Sequence, residues 1–243
     1  MTWNVQHGYT PSRQHVNQQQ IELLAGLNPD VVALQEIAEW DNDMPALYRE
    51  GLQARTGRAW TLLYQATLPG AATSRREGPA IATSLPVTAR GPLMLSDPGA
   101  GDDLNRNRAA VRLSLTVGGQ PVHLATTQLD FQDAGNRRAQ LDRVQRWMSE
   151  VGPRTVVAGD FNAEPDDEAT WSAWRSEYTD AWLAGLNPLR LQPGYTKMLR
   201  STTGRPGRID YVWYRGLQAS SVRLVETDLS DHHALVVEFV VQR

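Results

Sequence analysis

The chain has 243 residues, of which 41% are hydrophobic and 21% charged, and its formal net charge is −3 at pH 7. This balance is typical of a folded globular protein, and the total charge does not indicate a nucleic-acid partner. The absence of cysteine excludes disulfides, thiolate catalysis and cysteine-ligated metal centres. No apolar run approaches the roughly 20 residues of a membrane-spanning helix, and residues 1–8 lack the pattern of a signal peptide. We therefore expect a cytoplasmic protein without a membrane span, although a motif so near the start suggests that some N-terminal sequence is missing.

Two segments have the pattern of strand–helix–strand units. In the first, apolar residues at helical spacing end before Asn28-Pro29, and the run VVALQE then predicts a buried strand that ends at Glu36. In the second, QPVHLATTQL predicts a strand, and the apolar positions Leu141, Val144, Met148 and Val151 mark a helix whose arginines, including Arg137, would lie largely on the outside. RTVVAGDFN then predicts another strand.

The remaining apolar runs predict strands that are joined without helices. These are WTLLYQATL, GPAIATSLPVT, RAAVRLSLTV, RIDYVWYR, SSVRLVET and HALVVEFVV. Helix-linked strands mixed with hairpin-like strands favour an α/β or α+β sandwich, with two mixed sheets and helices on the outer faces. No linker divides the chain, so we expect a single domain over residues 1–243, with the polar loops 65–79 and 96–107 at the rim of a site.

Polar side chains stand at the ends of five predicted strands. They are Asn4, Glu36, Asp160 with Asn162, Asp210, and Asp231 with His232. Oxygen ligands suit hard cations such as Mg²⁺ or Mn²⁺, and a histidine beside a carboxylate is a candidate general base. Each motif alone is explained as well by a turn, a cap or a solvated side chain. Their repetition at five strand ends favours a metal-assisted phosphoester hydrolase.

Seven motifs in order resemble the endonuclease/exonuclease/phosphatase superfamily. They are TWNVQHG, PDVVALQE, GPAIATS, ATTQLD, AGDFNAEP, RIDYVW and SDHHALV, and they span residues 2–237. The resemblance implies a four-layer α/β/β/α sandwich, a Mg²⁺ or Mn²⁺ site and phosphoester hydrolysis. It implies that Glu36 is the principal metal ligand, that Asn4 helps to order metal and phosphate, and that Asp231 lies near the metal.

The same resemblance implies roles for the other strand-end residues. Asp160 would orient or activate the attacking water, and Asn162 would hold a phosphate oxygen. Asp210 would pair with His232, which leaves the imidazole able to bind phosphate or to act as a base. For His7 two placements stay open, one near the site because it follows Asn4 closely and the other in an exposed turn.

Two positions depart from the family pattern. Pro79 replaces a residue that has a backbone amide donor. Gln128 stands where the family's THLD motif has a histidine. A glutamine can donate a hydrogen bond to a phosphate oxygen, but it cannot deliver a proton. We therefore expect Gln128 to bind phosphate, in a site whose metal and His232–Asp210 pair supply the acid–base chemistry.

Basic residues bear on the substrate. Arg108, Arg205 and Arg208 are predicted as weaker substrate contacts on a positive lip, to which Lys197 would also belong. Ordinary solvated side chains are the alternative for each. We expect a phosphate-bearing substrate, with a DNA or RNA phosphodiester favoured over a small phosphoester or a lipid headgroup, and a monomeric enzyme. The alternative from another class is a binding or regulatory protein that keeps the scaffold without catalysis.

Overall fold

The computed structural model describes residues 1–67, 76–95, 107–184, 192–199 and 203–241. In chain order its strands are β1 (Thr2–Asn4), β2 (Val31–Ala38), β3 (Thr61–Tyr64), β4 (Glu77–Thr83), β5 (Val87–Met94), β6 (Ala109–Val117), β7 (Gln120–Gln128), β8 (Thr155–Asp160), β9 (Thr179–Asp180), β10 (Asp210–Arg215), β11 (Gln218–Val225) and β12 (Ala234–Val240). Its helices are α1 (Asn17–Leu27), α2 (Met44–Thr56), α3 (Ala134–Ser149) and α4 (Glu168–Trp171). Most of the predicted rim loops 65–79 and 96–107 lies outside the described residues.

The strands form two six-stranded mixed sheets. The first has the order β11-β12-β1-β2-β4-β3 and the second the order β5-β6-β7-β8-β10-β9. In each sheet the central strands are parallel, β1 with β2 and β7 with β8. Asn4 at the end of β1 pairs with Gln35, and Gln128 at the end of β7 pairs with Asp160. The carboxyl-terminal parts of the parallel strands therefore deliver their polar residues to one edge of each sheet.

Apolar clusters join the layers. α1 and α2 pack on the outer face of the first sheet, and α3 packs on the second. The two sheets face each other across Ile81 and Val111, and across Ala33 and Val156. The predicted four-layer α/β/β/α sandwich, with two mixed sheets and helices outside, is therefore confirmed. Among the helices that the structure describes, none combines the length and the apolar character that crossing a membrane requires.

The sequence predicted some boundaries of helices and strands correctly and others not. α1 ends before Asn28, whose left-handed backbone (φ 51°) leads into Pro29, as the sequence predicted. α2 was not predicted, although the Asp43 side chain caps it by accepting a hydrogen bond from the Ala46 N–H at 3.0 Å. The run GPAIATSLPVT is not one strand, because the chain turns after Thr83 and crosses to the other sheet.

Candidate active site

Glu36 stands on a β-bulge within β2, whereas the sequence predicted that the strand ends there. The register with β4 shifts between Leu34 and Ile37, and Glu36 has a left-handed backbone with φ 59°. This conformation is uncommon for a residue with a side chain, and the surrounding structure has to enforce it. The bulge directs the carboxylate toward the edge where the strands of the two sheets meet.

Pro79 on β4, which departs from the family pattern, lies where the hydrogen-bonded pairing of β3 with β4 ends. The Gln65 N–H donates to the Pro79 carbonyl at 3.1 Å, and proline cannot return the bond. The paired residues of β3 and β4 end one position earlier, at Tyr64 and Ala80. The missing donor therefore falls where β3 is already ending.

Two amide side chains bridge the same pair of carboxylates. Asn4 Nδ2 donates to Glu36 Oε1 at 2.9 Å and to Asp160 Oδ2 at 3.1 Å. Gln128 Nε2 donates to the same two oxygens at 2.8 and 3.3 Å. Asn4 and Glu36 come from the first sheet and Gln128 and Asp160 from the second, so these four residues tie the sheets together. The Gln128 donor that was predicted for phosphate faces these carboxylates.

The end of β8 places Asp160 and Asn162. A side chain at Gly159 would bring its Cβ within 2.1 Å of the Thr127 carbonyl oxygen, so only glycine fits beside β7. Asn162 has a left-handed backbone (φ 51°). Its N–H donates to Asp160 Oδ1 at 3.0 Å, and its Nδ2 donates to the Leu129 carbonyl at 3.0 Å. Asn162 thus orients Asp160 directly, while its own amide hydrogens hold the end of β7.

His232 and Asp210 form the predicted pair. His232 Nδ1 lies 2.8 Å from Asp210 Oδ2, and both residues are buried. The Trp3 indole donates to the His232 carbonyl at 2.9 Å, and the Asp210 N–H donates to the Thr196 hydroxyl at 3.0 Å. With Nδ1 held by Asp210, Nε2 faces the interior of the site at 3.9 Å from Asp160 Oδ2.

Three residues that the sequence did not place among the strand-end residues also contact the site, namely Lys197, His7 and Glu77. Lys197 Nζ lies 2.5 Å from Asp231 Oδ2 and 2.9 Å from His232 Nε2. Asp231, which was predicted to lie near the metal, therefore forms an ion pair with the Lys197 ammonium. His7 contacts Glu77 and lies 3.4 Å from Glu36 Oε2, which settles its two placements in favour of the site. Only its closeness to Asn4 pointed to His7, the sequence predicted Lys197 on a positive lip and not beside Asp231 and His232, and no motif marked Glu77.

Neighbouring charges shift the pKa values of the central residues. Burial and then the nearby Asp210 carboxylate raise the pKa of Asp160 to about 6. Burial acts in the same direction on Glu36, but His7, the Asn4 amide and His232 outweigh it and lower the pKa of Glu36 to about 2. Burial opposes protonation of His232, yet Asp210 raises its pKa to about 9.

The donor set fits a hard divalent cation. One ligand atom each from Asp160, Asp210 and His232 lies within 4.8 Å of the others, and all three residues are buried. Within the described residues, Asp210 Oδ1 is buried without a hydrogen-bond partner. A cation would relieve both the repulsion between the two aspartates and the unsatisfied oxygen. The predicted ligand Asn4 contacts this group at Asp160, and Glu36 adjoins it through the Asn4 amide.

The three arginines predicted to contact substrate have different surroundings. Arg208 is 4% exposed, its NH1 lies 2.7 Å from Asp180 Oδ2, and its guanidinium stacks over Tyr211. A buried, paired arginine cannot form part of an exposed lip, which corrects the prediction for Arg208. Arg108 is also buried and donates to Gln128 Oε1 at 3.1 Å, whereas Arg205 is exposed.

Comparison with known proteins identifies the family. A family model described as "Endonuclease/Exonuclease/phosphatase family" matches residues 1–232, so the chain belongs to this family. Its members are generally phosphoester hydrolases and typically depend on a divalent metal. A UPF0294 protein from Vibrio vulnificus (strain YJ016) is 37% identical over 102 residues, which are 41% of this chain and 32% of that protein. The match therefore spans about a third of the relative's length.

Solved structures share the fold. An endonuclease/exonuclease/phosphatase family protein from Leptotrichia buccalis C-1013-b has a TM-score of 0.80 at 16% identity, covering 99% of this chain and 98% of that one. The human Nocturnin catalytic domain with bound sulfate anion has a TM-score of 0.73 at 21% identity, covering 98% and 91%. At these identities the likeness concerns the sandwich alone.

Proposed function

We propose that the protein is a Mg²⁺- or Mn²⁺-dependent phosphodiesterase that hydrolyses nucleic acid. The observation that carries this proposal is the buried group of Asp160, Asp210 and His232 beside Glu36, at one edge of both sheets. The carboxylates of Glu36, Asp160 and Asp210 would hold the cation, which would supply positive charge against the developing phosphoryl oxygens and would lower the pKa of bound water. The protein groups around them have separate tasks.

The side chains can handle the proton and the phosphate without rearrangement. Asp210 fixes the imidazole of His232 through Nδ1, and the raised pKa of about 9 keeps the ring protonated at neutral pH, so Nε2–H can bind a phosphate oxygen while the attacking water displaces the leaving group. Asp160 is held by Asn162 and by two amides, which suits it to orient that water. Lys197 places an ammonium beside His232 Nε2, where it can stabilise charge on a phosphate oxygen.

Exposed side chains near the site favour nucleic acid over a small phosphoester. Phe131 is 39% exposed and follows Gln128 by three residues, and Tyr195 is 46% exposed and precedes Lys197 by two. Tyr195 and Lys197 line one cleft. Aromatic side chains next to a cationic group are the surfaces on which bases stack while the backbone phosphate is bound.

The test is hydrolysis with and without metal. The protein is incubated with bis-p-nitrophenyl phosphate, p-nitrophenyl phosphate, a plasmid and an abasic-site duplex, in Mg²⁺, Mn²⁺ or chelator, alongside Glu36→Gln. Glu50→Gln, a change at an exposed glutamate on α2, is the matched control. We expect metal-dependent cleavage of the diester and the nucleic acids that Glu36→Gln abolishes and Glu50→Gln retains. Cleavage of the monoester alone would instead favour a small phosphoester, and no turnover on any substrate would contradict the proposal.

A further inference from the structure

Arg108 is a buried cation whose hydrogen bond goes to a neutral amide. It is 6% exposed, its NH1 donates to Gln128 Oε1, and its Nε has no hydrogen-bond partner. Among the residues that the structure describes, no carboxylate lies within ion-pair distance of it. Burying a guanidinium in this way is unfavourable, so the arrangement needs a compensating role.

The amide of Gln128 has one possible orientation. Arginine is only a donor and ionised carboxylates are only acceptors, so the carbonyl must face Arg108 and the NH₂ must face Glu36 and Asp160. An amide nitrogen carries two hydrogens and can serve both carboxylates at once. Each nitrogen of an imidazole carries one hydrogen at most, so a histidine at this position could not make the same double contact through one atom.

We infer that Arg108 is a positioning residue that acts through Gln128. Its guanidinium holds the amide carbonyl, so the NH₂ stays on Glu36 Oε1 and Asp160 Oδ2 when their other oxygens bind a cation. The polarised amide also passes part of the positive charge of Arg108 to the two carboxylates. This changes the role predicted for Arg108, because a side chain turned toward Gln128 and shielded from solvent does not need to touch the substrate. Where activity is concerned, the inference rests on the proposed function.

A double-mutant cycle separates positioning from substrate contact. Arg108→Met, Gln128→Ala and the double variant are compared by isothermal titration with Mn²⁺ and by kcat and KM on bis-p-nitrophenyl phosphate. We expect each single change to weaken Mn²⁺ binding and to lower kcat by about 10–100-fold, as is usual for groups that hold metal ligands in place. KM should stay nearly constant, and the double variant should be no worse than Gln128→Ala.

Two further variants serve as controls. Arg108→Lys keeps a charged donor for the Gln128 carbonyl and should recover part of the loss. Arg112→Met makes the same replacement on β6 at an arginine that contacts the Trp147 ring and carbonyl, and it should leave Mn²⁺ binding and kcat unchanged.

If the losses of the two single variants multiply in the double variant, Arg108 acts independently of Gln128 and the inference is overturned. A rise in KM with kcat intact would also overturn it, because Arg108 would then contact the substrate. If the wild type binds Mn²⁺ but hydrolyses nothing, the proposed function fails, and the cycle of Mn²⁺ affinities still decides the role of Arg108. If the wild type binds no Mn²⁺, the inference fails as well.

Discussion

Charges are buried in two regions of this molecule, and the two regions treat them differently. Around α3, α4 and β9, Arg208 pairs with Asp180 at 2.7 Å and Arg137 pairs with Asp167 at 2.8 Å. In the candidate active site, two aspartates share one imidazole, and Arg108 faces an amide. Matched charges hold a fold together, whereas like charges that are buried side by side store free energy that a bound cation can release.

Strained backbone conformations show the same difference between the two regions. Within the described residues, the non-glycine positions with positive φ include Gln6, His7, Glu36 and Asn162, all of which lie in or next to the site. Local strain of this kind persists only where packing enforces it, and it is common at functional sites. The region around α3 and α4 shows the opposite, with Asp133 and Asp167 acting as ordinary helix caps.

Asp160→Asn is expected to have the largest effect and to move activity and stability in opposite directions. Loss of the carboxylate that we propose orients the attacking water should lower kcat on bis-p-nitrophenyl phosphate by about 10²–10⁴-fold. In chelator at pH 7, the free energy of unfolding should rise by an amount on the order of 1 kcal/mol or more, because repulsion from Asp210 is removed. Urea denaturation measures this change.

The pH dependence of that gain has a definite sign. The pKa of Asp160 in the folded protein is about 6, above its ordinary value, so the penalty on the wild type is absent when the carboxyl is protonated. The advantage of Asp160→Asn should therefore appear as the pH rises from about 4 to about 6 and stay constant above that range. If Asp160→Asn instead loses stability at pH 7, the Asp160 carboxylate is stabilised by its partners in the folded protein. The candidate active site would then not differ from the α3–α4 region in how it buries charge.

Arg208→Met should give the largest loss of stability. It leaves Asp180 buried without its partner, which typically costs about 3–5 kcal/mol in the free energy of unfolding. Arg108→Met is the matched control, since it makes the same replacement at a buried arginine. It leaves only the Gln128 side-chain carbonyl without its donor, which should lower the free energy of unfolding by about 1–3 kcal/mol. Equal losses in urea denaturation would contradict the distinction between the two arginines.

Sequence signals predicted the parts of the fold and of the site that depend on neighbours in the chain. Asn28-Pro29 ends α1, and the apolar runs locate most strands. The polar residues Asn4 and Glu36, and likewise Gln128 and Asp160, lie together because each pair stands in the carboxyl-terminal parts of two parallel strands, at one edge of a sheet. Each of these features depends on a few consecutive residues.

The features that the sequence did not predict depend on contacts across long separations. Glu77 and Lys197 enter the site only because β4 and the segment before β10 meet residues from the two ends of the chain. Arg208 looked like a surface cation because its partner Asp180 lies 28 positions earlier. A charged side chain is solvated or paired according to what packs beside it, and no local pattern of residues encodes that.

Asp167→Asn tests a matched charge of smaller effect. Arg137 was expected on the outside of its helix but is buried, and its NH2 binds Asp167 Oδ2. Asparagine keeps the cap on Thr170 and loses only the charge, so we expect a loss of about 1–2 kcal/mol at pH 7.

Acid should abolish that difference. Burial raises the pKa of Asp167, but bonds from Arg137 and Thr170 outweigh it and lower the pKa. A lowered pKa means that the stabilisation is present above the ordinary value of about 4 and is lost as the pH falls below it. The urea midpoints of wild type and variant should therefore converge in acid; a constant gap from pH 7 to acid would show that the ion pair contributes nothing.

Arg205→Glu tests the predicted positive lip, where the expected effect is smallest. If the Arg205 side chain contacts a phosphate, the slope of log K against log salt concentration for a labelled duplex should fall by about 1, because each contact releases roughly one counterion. Fluorescence anisotropy in chelator measures binding without cleavage. Arg90→Glu makes the same change of charge at an exposed position on β5 and should alter affinity only through the net charge. Equal slopes for the two variants would show that Arg205 does not contact the phosphate backbone.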